Sequence, residues 1–293
     1  MAVEELKKTL VLGHRNPDTD SICSAICYAG FKHQLTGENY EPCRAGNVSP
    51  ETQYVLDYFK LKAPRLVENV KTQVKDIEIR KTKGVSRGIS LKNAWGLMQE
   101  NNVVTLPCVT EEGLLEGVIT IGDITKSYMN LYDSSIISKA CTKYANILDT
   151  LEGSMVVGDS EAYFDRGKVL IAAANPDLME NYIEKHDLVI LGNRYESQLC
   201  AIEMEAGCII VCEGAGVSLT IRKLAQERGC AVITTPYDTY TTARLINQSM
   251  PISYFMTKEN IIEFSEEDYL DDIREIMASK RHRDFPILDS DGK

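Results

Sequence analysis

Apolar and polar positions change period several times along the chain, and each change marks the edge of a module. Residues 9–12 form a short apolar run that reads as a strand. A helical pattern over residues 21–35 follows, with Ile22, Ala25, Ile26 and Ala29 on one face. Residues 40–44 suggest a second strand, and Ser49-Pro50-Glu51 marks a helix start, with an N-cap serine and proline at the first helical position. So few elements enclose too little apolar volume for an independent core, and this piece is expected to complete itself against other sequence. Between residues 130 and 250, apolar segments at 168–174, 188–191 and 208–212 alternate with helical patterns at 218–226 and 240–248. That alternation predicts an α/β fold with at least partly parallel strands.

An internal repeat flanks this layer. Leu91, Met98, Pro107, Val109 and Gly113 recur 179 positions later as Leu270, Met277, Pro286, Leu288 and Gly292. Both copies predict an amphipathic helix, a short gap, and an apolar strand opened by proline and closed by a glycine turn. The first copy runs on through residues 114–124 into a second strand and a helix start. The matching residues of the second copy would fall past Lys293, so that copy is expected to be cut within a module.

Charge and cysteine usage narrow the function classes. The formal net charge of −11 argues against a chain that coats nucleic acid or an anionic membrane. No apolar stretch approaches the roughly 20 residues of a membrane span, and the first residues lack the apolar core of a secretory signal. Nine scattered cysteines, an odd number without a Cys-x-x-Cys pair, fit free thiols. The expectation is a soluble acidic protein of the reducing cytoplasm.

Candidate chemistry gathers where the first strand meets the first helix, in Gly13-His14-Arg15-Asn16-Pro17-Asp18-Thr19-Asp20-Ser21. In α/β sheets, ligands bind outside the carboxyl ends of strands. His14, Asp18 and Asp20 offer a mixed N/O donor set of the kind that suits Mn²⁺ or Co²⁺. The same residues also make an ordinary turn, with Asp20 or Ser21 capping the helix, and spacing alone leaves both readings open. His186-Asp187 offers a second metal pair or a helix end. The turns at Gly192 and Gly214 lack the full pattern of a phosphate loop and are expected to be strand-to-helix connections.

The run from Gly13 to Ile22 resembles the opening motif of the DHH phosphoesterase superfamily, specifically of family II inorganic pyrophosphatases. Residues 45–56 resemble a later helix start of the same domain. The two repeat copies resemble CBS motifs, and the stretch between them resembles a DRTGG domain. Pyrophosphatases with a CBS–DRTGG–CBS insert within the DHH domain have this order, and the resemblance covers the whole chain. It implies the N-terminal part of a DHH domain at 1–68, a first CBS motif at 69–129, a DRTGG domain at 130–250 and a truncated second CBS motif at 251–293. Residues 237–242 depart from the name motif: an Asp and a Thr survive, but two threonines stand where the name has glycines; an interface or coupling role is expected there.

The resemblance implies that His14, Asp18 and Asp20 bind catalytic Mn²⁺ or Co²⁺, with Mg²⁺ possible. It also implies that metal-activated water attacks pyrophosphate. The family further requires another aspartate, an Asp-His-His triplet and a basic C-terminal domain. Here the four histidines, His14, His33, His186 and His282, are never adjacent, so the active site is expected to be about half present. At the CBS copies the resemblance implies adenine nucleotides: AMP or ADP as inhibitors, ATP or diadenosine polyphosphates as activators. Thr120 and Asp123 would meet ribose and phosphate, or form only a helix cap. Lys280, Arg281, His282 and Arg283 would hold phosphates, or form a solvated helix end. A homodimer through the CBS and DRTGG modules is implied as well. The alternative is a non-catalytic adenine-nucleotide-binding regulatory protein.

Overall fold

The computed structural model describes residues 8–129, 133–280 and 284–293. It divides into two compact units. One comprises residues up to Asp76 with Tyr269–Asp271; the other comprises Ile77–Asp268 and Asp272–Lys293. The expected α/β class holds in both.

The first unit contains β1 (Thr9–Leu12), α1 (Thr19–Thr36), β2 (Tyr40–Arg44), α2 (Pro50–Tyr58) and β3 (Arg65–Leu66), with the strands parallel in the order β1-β2-β3. Local chemistry sets the helix limits. Asp18 caps α1 by accepting the Ser21 N–H at 2.9 Å, and Gly37 closes it in the left-handed conformation at φ 73°. The cap is therefore Asp18, where Asp20 or Ser21 was expected. Ser49 caps α2, with Pro50 in its first turn, as its sequence predicts.

The second unit begins with the first repeat copy: α3 (Leu91–Glu100), β4 (Thr105–Val109), β5 (Leu115–Thr120) and α4 (Ile121–Met129). There follow α5 (Ile136–Lys139), β6 (Thr142–Lys143), α6 (Tyr144–Thr150), β7 (Ser154–Val157), β8 (Tyr163–Phe164), β9 (Val169–Ile171) and α7 (Pro176–Met179). Then come β10 (Leu188–Leu191), α8 (Tyr195–Glu203), β11 (Cys208–Val211), α9 (Leu219–Arg228), β12 (Ala231–Thr234) and α10 (Thr239–Leu245). The chain ends with β13 (Phe264–Ser265), α11 (Leu270–Ser279) and β14 (Ile287–Leu288).

A five-stranded sheet in the order β7-β12-β11-β10-β9 forms the middle layer, parallel except for β7 on β12. Strands β10 and β11 are buried at every position, which is why they read as unbroken apolar runs. Alternate residues serve opposite faces. Leu188, Ile190, Cys208 and Ile210 join the core that also holds Leu91, Met98, Leu106 and Ile119 of the first repeat copy. Val189, Leu191, Ile209 and Val211 pack beneath α8 and α9. The first copy and the sheet thus share one continuous core. All nine cysteines are free thiols; Cys208 and Cys212 are buried at a strand, while Cys23 and Cys27 lie on α1. Among the described residues, no helix is long and apolar enough to cross a membrane.

The repeat extends further back than its side chains reveal. Val85 N–H donates to the Pro107 carbonyl, and Phe264 N–H donates to the Pro286 carbonyl, both at 2.9 Å and 179 positions apart. The glycine turns repeat as well, Thr110 N–H to Leu114 carbonyl matching Asp289 N–H to Lys293 carbonyl, each at 2.9 Å. Each helix start is held by the segment ahead of the other copy. Leu91 N–H donates to Met250 carbonyl, and Leu270 N–H to Thr72 carbonyl, each at 3.0 Å.

Candidate functional site

The loop between β1 and α1 brings two of its three candidate donors together. His14 Nε2 lies 3.4 Å from Asp18 Oδ1, with both side chains largely exposed. The Ser21 N–H bond, with His14 beside it, holds the Asp18 carboxyl below the usual carboxylate range. Asp20 instead accepts a long 3.4 Å bond from Ser24 Oγ. Among the described residues no group of three or more His, Cys, Asp or Glu side chains is arranged to hold a metal ion.

The loop is closely built all the same. A Cβ at Gly13 would overlap Ser21 Oγ, a buried hydroxyl without a hydrogen-bond partner among the described residues. A Cβ at Gly46, in the loop after β2, would come within 2.6 Å of the Arg15 carbonyl. Glycine at both positions lets the two loops and the helix start approach at the carboxyl edge of the sheet. The imidazole–carboxylate pair there suits a divalent cation of borderline hardness as a partial donor set, one that needs further oxygen ligands to close a shell.

At the first repeat copy, Thr120 and Asp123 form a reciprocal cap for α4. Thr120 donates to Asp123 Oδ2 through its N–H at 3.0 Å and its Oγ1 at 2.7 Å, and Asp123 N–H donates back to Thr120 Oγ1 at 3.2 Å. Among the described residues, Asp123 Oδ1 makes no hydrogen bond. The cap reading is therefore realised, and it fixes both side chains at a strand-to-helix junction with one carboxylate oxygen uncommitted. Lys280 follows the last turn of α11; Arg281, His282 and Arg283 lie outside the described residues.

Other sequence candidates take structural roles. Asp187, buried, accepts the Lys168 N–H at 2.9 Å and the Glu184 N–H at 2.8 Å, with Lys168 Nζ 3.4 Å away. It locks the entry to β10. Asp238 caps α10 by accepting from Thr241 N–H and Oγ1, each at 2.8 Å, and these bonds lower its pKa. Gly192 and Gly214 lie in the connections from β10 to α8 and from β11 to α9, as expected.

Sequence reasoning missed a polar seam between the first repeat copy and α6. Lys92 Nζ donates to the Asp149 and Thr150 carbonyls, each at 3.2 Å, at the end of α6. Asn93 Nδ2 donates to Asp149 Oδ2 at 3.1 Å, and Asn146 Nδ2 to the Gly88 carbonyl at 2.9 Å. The partners stand 56 to 58 residues apart in sequence, so no local spacing signals them.

Comparison with known proteins places these features in context. Residues 74–130 match the family model described as a CBS domain, and residues 146–249 match the DRTGG domain. A cobalt-dependent inorganic pyrophosphatase of Clostridium perfringens is 39% identical over 97% of this chain and 52% of its own length. A probable manganese-dependent inorganic pyrophosphatase of Thermotoga maritima is 29% identical over 99% of this chain and 53% of its own length. The chain thus spans about half the length of these curated relatives. The crystal structure of the CBS and DRTGG domains from the regulatory region of the Clostridium perfringens pyrophosphatase, complexed with its activator diadenosine tetraphosphate, matches with a TM-score of 0.72. That match is 35% identical and covers 76% of this chain and 97% of the other.

Proposed function

The chain belongs to the family of metal-dependent inorganic pyrophosphatases whose regulatory region combines CBS and DRTGG domains, and from that membership we propose that it serves pyrophosphate hydrolysis under the control of adenine nucleotides. The observation that carries this reading is the match to a nucleotide-bound regulatory region over nearly all of that region's length. In this reading residues 1–68 are the N-terminal part of a DHH domain. Residues 69–129 and 251–293 are the CBS copies, and 130–250 are the DRTGG domain between them.

His14, Asp18 and Asp20 would hold Mn²⁺ or Co²⁺. When bound, the metals lower the pKa of water and neutralise phosphoryl charge. The residues' own part is to bind and orient. The cap of α1 holds Asp18 anionic beside His14, and the close approach at Gly13 fixes where the helix begins. At the regulatory copies, Asp123 Oδ1 would accept from ribose hydroxyls, while Lys280, Arg281, His282 and Arg283 would meet phosphate oxygens. The seam at Lys92, Asn93 and Asn146 is suited to carry the nucleotide's effect from the first copy into the DRTGG layer, to the extent of its differential affinity for two arrangements. We assign the protein to the cytoplasm and to a homodimer through its CBS and DRTGG modules. A second reading, a nucleotide-binding regulator without turnover, is favoured by the same match, which covers 97% of a nucleotide-bound regulatory region.

Phosphate release from pyrophosphate, assayed with Mn²⁺ or Co²⁺ on the protein isolated from its own cell, separates the two. Turnover that Asp18→Ala abolishes, and an AMP response that Arg283→Ala weakens, support the enzyme. Nucleotide binding without turnover supports the regulator.

A further inference from the structure

A cavity of about 540 Å³ opens in the DRTGG layer, beside the amino ends of β11 and β12. Val157, Ala225 and Ala231 give it apolar walls, and Tyr144 and Cys230 also line it. Tyr144 is 7% exposed, yet its hydroxyl makes no hydrogen bond among the described residues. The hydroxyl oxygen itself is not fully enclosed, so it stays reachable for a hydrogen bond that the described residues do not make.

The two sides of the cavity differ in charge. On the inner side, burial pushes the Tyr144 hydroxyl well up and the Cys230 thiol to about 12, so both stay neutral. Near solvent, Asp159 spends one carboxylate oxygen on the Glu161 N–H at 2.9 Å and leaves the other uncommitted. Helix α9 ends there too, at Gly229, and its terminal carbonyls add partial negative charge. Lys143, the nearby cation, is engaged by Glu161 at 2.6 Å. The volume falls within the range of small-molecule sites, roughly 300–1,000 Å³, and apolar walls with a few convergent polar groups are their usual make-up.

We propose that this cavity binds a small aromatic molecule bearing a cationic or N–H-rich group, its flat body against Val157 and Ala231, its donor end on Asp159, and its inner edge hydrogen-bonded to the Tyr144 hydroxyl. The site is separate from the repeat copies and does not depend on the pyrophosphatase reading.

The test is titration of benzamidine into the ¹⁵N-labelled 293-residue chain, following the amide signals of Gly158, Asp159 and Gly229, with benzoate as the charge-reversed control. Saturable shifts with benzamidine and none with benzoate are expected. Tyr144→Phe and Asp159→Asn should each weaken binding about tenfold, the size of one charged or buried hydrogen bond. Ala162→Trp, at an exposed position lining the cavity, should abolish it. Tyr144→Phe should leave Tm unchanged, because its hydroxyl makes no hydrogen bond among the described residues and is not fully enclosed. The proposal is overturned by an absence of saturable shifts, by equal binding of benzoate, or by affinity that survives these substitutions. A Tyr144→Phe variant that lowers Tm without changing affinity would make the hydroxyl structural and overturn it as well.

Discussion

The two repeat copies make the same backbone hydrogen bonds 179 positions apart, but they bury their apolar residues very differently. Met98 on α3 is 1% exposed in the core shared with the sheet, whereas its counterpart Met277 on α11 is 38% exposed. Strand β4 pairs with β5 along its length, while β14 pairs only with β13 among the described residues. The local pattern of helix, gap, proline and glycine turn is sufficient to set the backbone. Burial needs the neighbouring strand and helix, which the first copy draws from residues 115–129 and from the DRTGG layer.

The largest expected break in that parallel comes from truncating the matched methionines. Met98→Ala should cost about 3 kcal/mol through lost burial and a residual cavity, and Met277→Ala less than about 1 kcal/mol. Urea unfolding of both variants measures the difference, and equal costs would mean that the second copy is packed as tightly as the first. Next comes the α4 cap, which has no counterpart among the described residues of the second copy. Thr120→Val should cost about 1 kcal/mol and weaken adenine-nucleotide binding in the same protein. A cap with no ligand role would lose the stability and keep the affinity.

The smallest effect concerns the junction between the first copy and the sheet. Lys139, with help from Ser135, holds Asp133 down to about 2 from an ordinary 3.8. A depressed carboxylate contributes stability that is complete above its ordinary value and is lost as pH falls through the folded one. Stability should therefore decline slightly more steeply between pH 4 and pH 2 in the natural chain than in Asp133→Asn, as read from acid unfolding. Because this ion pair is exposed, the difference should be small.

Much of the architecture was legible because it rests on near-neighbour chemistry. The strands at 188–191 and 208–212, the serine cap at Ser49, and the repeat from Leu91 to Gly113 follow from apolar runs and cap residues a few positions apart. What escaped depends on distant partners. Helix character over 240–248 is divided, because α10 stops at Leu245 and a tighter turn runs over Ile246–Ser249. The pairing of Val85 with Cys108, and of Phe264 with Ile287, repeats through backbone groups while the side chains differ. At the metal loop, the sequence identified His14 and Asp18 as neighbours but could not reveal that Asp18 is also the helix cap. Lys92 and Asp149 belong to separate modules, and only the folded chain brings them together.

The most direct test of the nucleotide-sensing reading is a calorimetric titration of diadenosine tetraphosphate into this chain, repeated with Asp123→Asn. Saturable binding is expected, weakened about tenfold by the substitution, as loss of a ribose-accepting carboxylate would do. No saturable heat, or an affinity indifferent to Asp123, would contradict it.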